Sequence, residues 1–384
     1  MMKSNGWHLI GFGIIAKAAT AFLCMYATCW SAAASECPQA KEISQSAGKM
    51  IVAGFFGSTV SDTGFQQILA DLDSGTIGGV LILGRNIGSR QGLEQMMTAI
   101  AKCKCSQTPF IAIDEEGGAI ERLGTSPGEK AAPSAFDVAQ GSLATAHDVY
   151  SNMADKLSAL HFNVNLGPVV DLNRNPHNPV IGKLGRSYGT RVDTVVTFAT
   201  AFIEEHRKRN ILTVLKHFPG HGSSTTDSHD GIADVTSTWS PEELEPFKRL
   251  IDRGLADVIM VGHLTNSSKW GGVATQSRSN AISQILRRDL GFDGVVMTDD
   301  LAMKAVSDGA GSTIGAASDA IKAGADMLLV GRLGDDDQTA DVGAQVNRSI
   351  TSKVCTGEID IDALRRSENR ILKLRRHWTL PPLK

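Results

Sequence analysis

Between Thr213 and His229 the chain reads T-V-L-K-H-F-P-G-H-G-S-S-T-T-D-S-H, and five of these side chains can bind ligands or move protons: Lys216, His217, His221, Asp227 and His229. The segment opens as a β-branched apolar run and turns at Lys216 to charge, imidazole, Pro and Gly, the change expected where a buried strand ends in a loop. Polar groups packed this densely beyond a core strand need partners, and a working site accounts for them better than an inert loop. Two chemistries suit the set. An imidazole with a pKa near 6.5 can donate and accept protons at neutral pH, oriented by a neighbouring carboxylate. Alternatively, His217, His221, Asp227 and His229 could ligate the metal ion of a hydrolase, a reading that chelator treatment would test.

Elements able to position such a loop recur along the chain. Short apolar, β-rich runs occupy 51–55, 79–83, 110–113, 164–170, 213–215, 257–261, 294–297 and 326–330, with helical spacing between them, as in 241–253 and 281–290. Nearly continuous Val, Ile and Leu marks strands covered on both faces. Strand and helix alternating eight times predicts an α/β fold, a single (β/α)8 TIM-type barrel over 47–384 closed by a final helix over 359–378. The runner-up, a doubly wound open sheet, lacks a G-x-G-x-x-G after the first strand. Polar residues also fall at strand ends: Asp114, Glu115 and Glu116 after the third run, Asp171 and Asn173 after the fourth, His263 after the sixth, Asp299 and Asp300 after the seventh. In a parallel barrel those ends share one rim, so distant residues converge on one pocket.

With 384 residues, 42% hydrophobic, 21% charged and a formal net charge of −3, the chain can bury a large core and has no basic excess to attract nucleic acid. Residues 1–34 read as a secretory signal: Lys3, an apolar run from Leu9 to Trp30, then Ala32-Ala33-Ala34 before Ser35. Export to the periplasm or cell envelope is expected. The alternative is a membrane tether through residues 9–30, which Lys17 disfavours. Cys37, Cys103, Cys105 and Cys355 then remain. A bridge between Cys103 and Cys105 is expected to be strained, so each should pair with Cys37 or Cys355. A zinc site at Cys103-Lys104-Cys105 would need further ligands, which the surrounding sequence does not offer at suitable spacing.

K-H-F-P-G-H-G followed by D-S-H resembles the catalytic loop of the bacterial β-N-acetylglucosaminidases of glycoside hydrolase family 3. Four further segments fit that family: G-G-V-L-I-L-G-R-N at 78–86, I-D-E-E-G-G-A-I-E-R-L at 113–123, G-R-S-Y-G at 185–189 and V-M-T-D-D-L-A-M at 296–303. The resemblance extends over nearly all of the chain after residue 47. It implies a retaining exo-β-N-acetylglucosaminidase acting on cell-wall-derived saccharides, with Asp299 as nucleophile, His229 as acid/base and Asp227 as its partner carboxylate. Substrate contacts are implied for Asp114, Arg122, Arg186, Lys216 and His217, although either arginine could instead close an ion pair at the rim. Asp300 is expected to hold a loop or cap a helix, and His221 suits scaffolding as well as sugar contact. Neither a cofactor nor a metal is needed, the partner is a GlcNAc-containing saccharide, and a monomer is expected. A phosphorylase or β-glucosidase of the same family is the alternative. Ala119 and Ser223 depart from the family's usual Arg and Asp, which touches the outer site and the folding of the loop.

Overall fold

The computed structural model describes residues 37–124, 131–227, 231, 233–276, 278–303, 306, 312–331 and 341–378. The signal and tether expected in residues 1–34 and 9–30, and His229, lie outside them. The chain divides into a short unit, Met1–Ala40, and a large one, Lys41–Lys384, and the large one carries the architecture. Its eight parallel strands are β1 (Ile51–Ala53), β2 (Gly79–Ile82), β3 (Phe110–Ile113), β4 (Val164–Asn165), β5 (Leu212–Phe218), β6 (Val258–Val261), β7 (Val295–Thr298) and β8 (Leu328–Val330). Every strand residue is buried, as near-continuous apolar runs covered on both faces require. The strands pair in the order β7-β6-β5-β4-β3-β2-β1-β8.

The two ends of that order meet. Met297 bridges Met327, and Thr298 N donates to Met327 O at 2.9 Å. Leu301 N donates to Leu329 O at 2.9 Å. Side chains complete this seam: the Thr298 hydroxyl accepts from Leu329 N at 3.0 Å, and a carboxylate oxygen of Asp326 accepts from Val296 N at 2.9 Å. The sheet thus closes into the expected barrel. Flanking helices follow the strands, among them α1 (Thr63–Asp73), α2 (Arg90–Ala101), α3 (Leu143–Ala159), α4 (Val192–Arg207), α5 (Glu245–Asp252), α6 (Thr313–Ala323), α7 (Val342–Cys355) and α8 (Ile361–His377). Their starts follow N-cap chemistry, with Ser89, Ser142, Ser312 and Asp360 each accepting from a backbone N–H of the first turn.

Three local expectations change. β4 is a regular strand only over Val164–Asn165; beyond it single backbone bonds continue the contact with β5, from Val214 N to Gly167 O at 2.8 Å, from Lys216 N to Pro168 O at 3.2 Å and from Val170 N to Lys216 O at 2.8 Å, with Pro168 able only to accept. β5, expected to end at Leu215, runs on through Phe218 with one extra residue against β6, a bulge between Leu215 and Phe218. The cysteines also pair differently: Cys103 bonds to Cys105, their Cα atoms 5.2 Å apart and within normal disulfide reach, so neither joins Cys37 or Cys355. Cys37 and Cys355 are each disulfide-bonded as well.

Asp326 knots the base of the seam. It is fully buried and accepts from Val296 N, Arg287 Nη2 (2.6 Å), Ser367 Oγ (2.9 Å) and Arg370 Nη1 (3.1 Å). Removing one member of a buried ion pair strands its partner, at a cost of about 3–5 kcal/mol. Asp326→Ala should therefore lower unfolding free energy by about that amount in a urea titration, whereas Arg370→Ala, at the partly exposed end of the knot, should cost about 1 kcal/mol.

Candidate active site

The bulge in β5 has a direct consequence for side-chain direction. Regular alternation would send Lys216 and His217 to opposite faces, but the extra residue lets both line one cavity at the C-terminal ends of the strands. Asp114 and Glu116 reach the same cavity from beyond β3, Arg122 from the following loop, Arg186 from the segment before α4, and Asp299 and Asp300 from beyond β7. The structure thus brings together Asp114, Arg122, Arg186, Lys216, His217 and Asp299. Asp227 is half-buried on the loop after β5 and is not part of the lining.

Charge compensation fixes the floor of this cavity. Lys216 Nζ lies 2.6 Å from Asp114 Oδ1 and 2.6 Å from Glu116 Oε1, so two of its three donors are used within the protein. Glu116 also accepts from Arg186 Nε and Nη2, both at 2.8 Å, in a bidentate pair. Arg186 Nη1 donates to Val180 O at 2.9 Å, and Nη2 approaches His217 Nε2 at 3.3 Å. Arg186 therefore closes an ion pair inside the site, the alternative entertained for it, and retains little donor capacity for a ligand. Burial alone would raise the Glu116 carboxyl, but the Arg186 and Lys216 charges hold it well below the usual carboxylate range. Burial likewise opposes the Lys216 charge, yet Asp114 and Glu116 outweigh it and raise its pKa. Asp114, partly exposed and engaged through one oxygen, keeps the other available for a hydroxyl donor.

Asp171 orients the imidazole. Its carboxylate is fully buried and accepts from His217 Nδ1 at 2.8 Å, from His217 N at 3.2 Å and from His221 N at 2.8 Å. Since a guanidinium cannot accept, the Arg186 contact makes His217 Nε2 the acceptor and leaves the ring proton on Nδ1, facing Asp171. Burial tends to raise Asp171, but the adjacent His217 and His221 bring it below its ordinary value. His221 is itself buried and pushed down to about 4 by desolvation, then by His217, so it is neutral at pH 7. Its backbone serves the scaffold, since His221 O accepts from Asn178 Nδ2 at 2.7 Å. The loop behind it packs so closely that a Cβ on Gly222 would sit 1.7 Å from Leu172 O. Ser223 is buried within this folded loop.

Glu116 and Asp171 are the functional partners that sequence reasoning left without a role. Both stand immediately after a core strand, which was the available signal. Asn165, a polar residue inside β4, fixes the exit of β3 by accepting from Glu115 N at 3.1 Å and donating to Glu115 O at 2.8 Å. Asn86 of the G-R-N segment similarly donates to Phe55 O at 3.1 Å and Gly57 O at 2.8 Å, tying the β1 and β2 exits together.

These elements and this rim define a glycoside-hydrolase barrel, and the comparisons agree. Residues 52–374 match the family model described as the glycosyl hydrolase family 3 N terminal domain. The chain belongs to glycosyl hydrolase family 3. It is 34% identical over 286 residues to a Beta-hexosaminidase of Shewanella frigidimarina (strain NCIMB 400), covering 71% of this chain and 79% of that one. It is 32% identical over 276 residues to Beta-hexosaminidase A of Pseudoalteromonas piscicida, covering 66% of this chain but 46% of that longer one. A glycoside hydrolase family 3 beta-N-acetylglucosaminidase from Paenibacillus sp. str. FPU-7 superposes with a TM-score of 0.74 and 30% identity, over 88% of this chain and 62% of that one.

Asp300 holds the loop behind Asp299. Its Oδ1 accepts from Ala302 N at 2.9 Å and from Gly331 N at 2.8 Å, and its carbonyl accepts from His263 Nε2 at 2.9 Å. Desolvation, with a further push from Asp299, raises the Asp300 carboxyl from 3.8 to about 7. The folded state therefore holds this proton more tightly than the unfolded chain does. Its contribution to stability is complete below about pH 4 and is lost as pH rises through 7, by up to roughly 4 kcal/mol. Glu115 and Glu243, each also raised to about 7 by burial, act in the same direction. Asp300→Asn, which preserves the acceptor, should make the fall in melting temperature between pH 4 and 7 shallower; an unchanged slope would refute this assignment.

Proposed function

We propose that the protein is a retaining exo-β-N-acetylglucosaminidase that removes terminal β-linked GlcNAc from cell-wall-derived saccharides at the periplasmic side of an envelope. The observation that carries this reading is the position of Asp299. It follows the end of β7 and shares one cavity with Asp114 and Lys216, groups suited to sugar hydroxyls. A carboxylate there can attack the anomeric carbon, expel the leaving oxygen and form a glycosyl ester that water then hydrolyses, so that two inversions return the β-anomer. His229 would protonate the leaving oxygen and deprotonate the water, with Asp227 as its partner, as in the family motif. The names of the relatives support the hexosaminidase specificity. In the resting arrangement Lys216 has one donor left and Asp114 one oxygen, a complementary pair for two hydroxyls of a single ring.

The test compares an aryl β-N-acetylglucosaminide with the matching β-glucoside, with and without phosphate. Preference for the first substrate without phosphate dependence is expected; phosphate-dependent turnover would point to a phosphorylase. Proton NMR should show the β-anomer as first product. Asp299→Ala should be nearly inactive on aryl and disaccharide substrates alike. His229→Ala should lose on the order of 10² to 10⁴ in rate on a disaccharide but far less in forming the intermediate from an aryl substrate, giving a burst of nitrophenol. Equal losses on both substrates with no burst would remove His229 from the acid/base role.

A further inference from the structure

The Cys103-Lys104-Cys105 segment has no part in the sugar site. It follows the C-terminal end of α2 and leads toward β3, at the end of the barrel opposite the C-terminal rim, where Cys103 N donates to Ile100 O at 3.1 Å. Its own neighbourhood offers no further ligand, but the fold brings in one from 30 residues earlier. Asp73, the last residue of α1, accepts from Lys104 N through Oδ1 at 2.6 Å. One carboxylate oxygen of Asp73 and the sulfurs of Cys103 and Cys105 all lie within 4.8 Å of one another. Both cysteines are half-buried and Asp73 is exposed, so a ligand can reach the cluster from solvent.

We propose that Asp73, Cys103 and Cys105 form a binding site for a thiophilic divalent cation of the zinc class, closed while the disulfide is intact and opened by a dithiol reductant. Opening is a two-electron exchange: the reductant gives up two thiol hydrogens, becomes a disulfide, and leaves two cysteine thiols. Metal binding then displaces two protons and forms two metal–thiolate bonds. Disulfide sulfurs are poor ligands, whereas two thiolates and a carboxylate make a three-ligand set with its fourth position open to water. At Zn–S distances of about 2.3 Å a tetrahedral centre places its sulfurs roughly 3.8 Å apart, so the two sulfurs, joined in the disulfide, must part once it is opened, while the Asp73 carboxylate already stands beside them. The Lys104 backbone bond fixes one oxygen of Asp73 and leaves the other for the metal. The bridge closes a loop with a sequence separation of 2, a short loop in which a crosslink restrains the unfolded chain little.

The proposal is independent of the sugar chemistry at the other end of the barrel and is tested without it. The protein carrying Cys24→Ser, Cys29→Ser, Cys37→Ser and Cys355→Ser, so that Cys103 and Cys105 are its remaining cysteines, would be reduced with dithiothreitol, exchanged anaerobically into reductant-free buffer and titrated with Cd²⁺, following thiolate-to-cadmium absorption in the ultraviolet, with Zn²⁺ competition. Reduced protein should bind one equivalent and oxidised protein none. Cys103→Ser/Cys105→Ser should abolish the band. Asp73→Asn, an exposed and conservative change, should weaken binding by about tenfold or more. Circular dichroism would establish that each variant is folded. No band from the reduced protein, a band that survives loss of both cysteines, or equal affinity in Asp73→Asn would each overturn the site.

Discussion

Two cations and two carboxylates share the floor of the cavity under one constraint: no buried charge there can be left without an opposite. Lys216 sits between Asp114 and Glu116, and Glu116 in turn holds Arg186 through both oxygens. Ions removed from water cost several kcal/mol each unless geometry compensates them, so the four side chains fix one another's positions. The bulge that turns Lys216 inward, the bend that delivers Arg186 and the turn that presents Glu116 are tolerable together and costly apart. The site is in this sense a folded electrostatic unit before any sugar enters.

A second arrangement rests on this one. Asp171 directs the Nδ1 proton of His217 toward itself, so the opposite nitrogen points at Arg186 and the cavity. Because the same carboxylate binds the backbone of His217 and His221, the loop after β5 is shaped from within by a residue of the preceding loop. Position and tautomer of the imidazole are thereby set together, which a rotatable surface histidine could not achieve.

The barrel was legible in the sequence because its signal is coarse. Eight apolar runs, helical spacing between them and polar residues at the run ends require only that faces and ends be recognised. The rim residues Asp114, Lys216, His217 and Asp299 were legible for the same reason. The bulge at Lys216, the bidentate Glu116 and the hold of Asp171 on His217 were not, because pairing register and partner choice arise only when chain segments separated by 46 to 102 positions are packed together. The cysteines failed differently. Expected strain across two positions weighed against the Cys103–Cys105 bridge, yet the turn after α2 places the two Cα atoms at an ordinary disulfide separation.

Between most barrel strands the backbone itself provides the ladder, so almost any apolar residue can stand there. The β7–β8 seam adds side chains to its backbone bonds: Asp326 at its base, Thr298 in its middle and Asp300 at its top each accept an N–H. Ring closure therefore rests in part on three side-chain acceptors, and substitution tolerance along the barrel is uneven. Val for Thr298, nearly identical in shape, would leave the Leu329 N–H unmet in the interior, whereas the same exchange of shape among the aliphatic residues of β1 or β2 would change little. The strand that carries Asp299 to the rim is thus attached on one side partly through particular side-chain atoms and not through hydrophobic character alone.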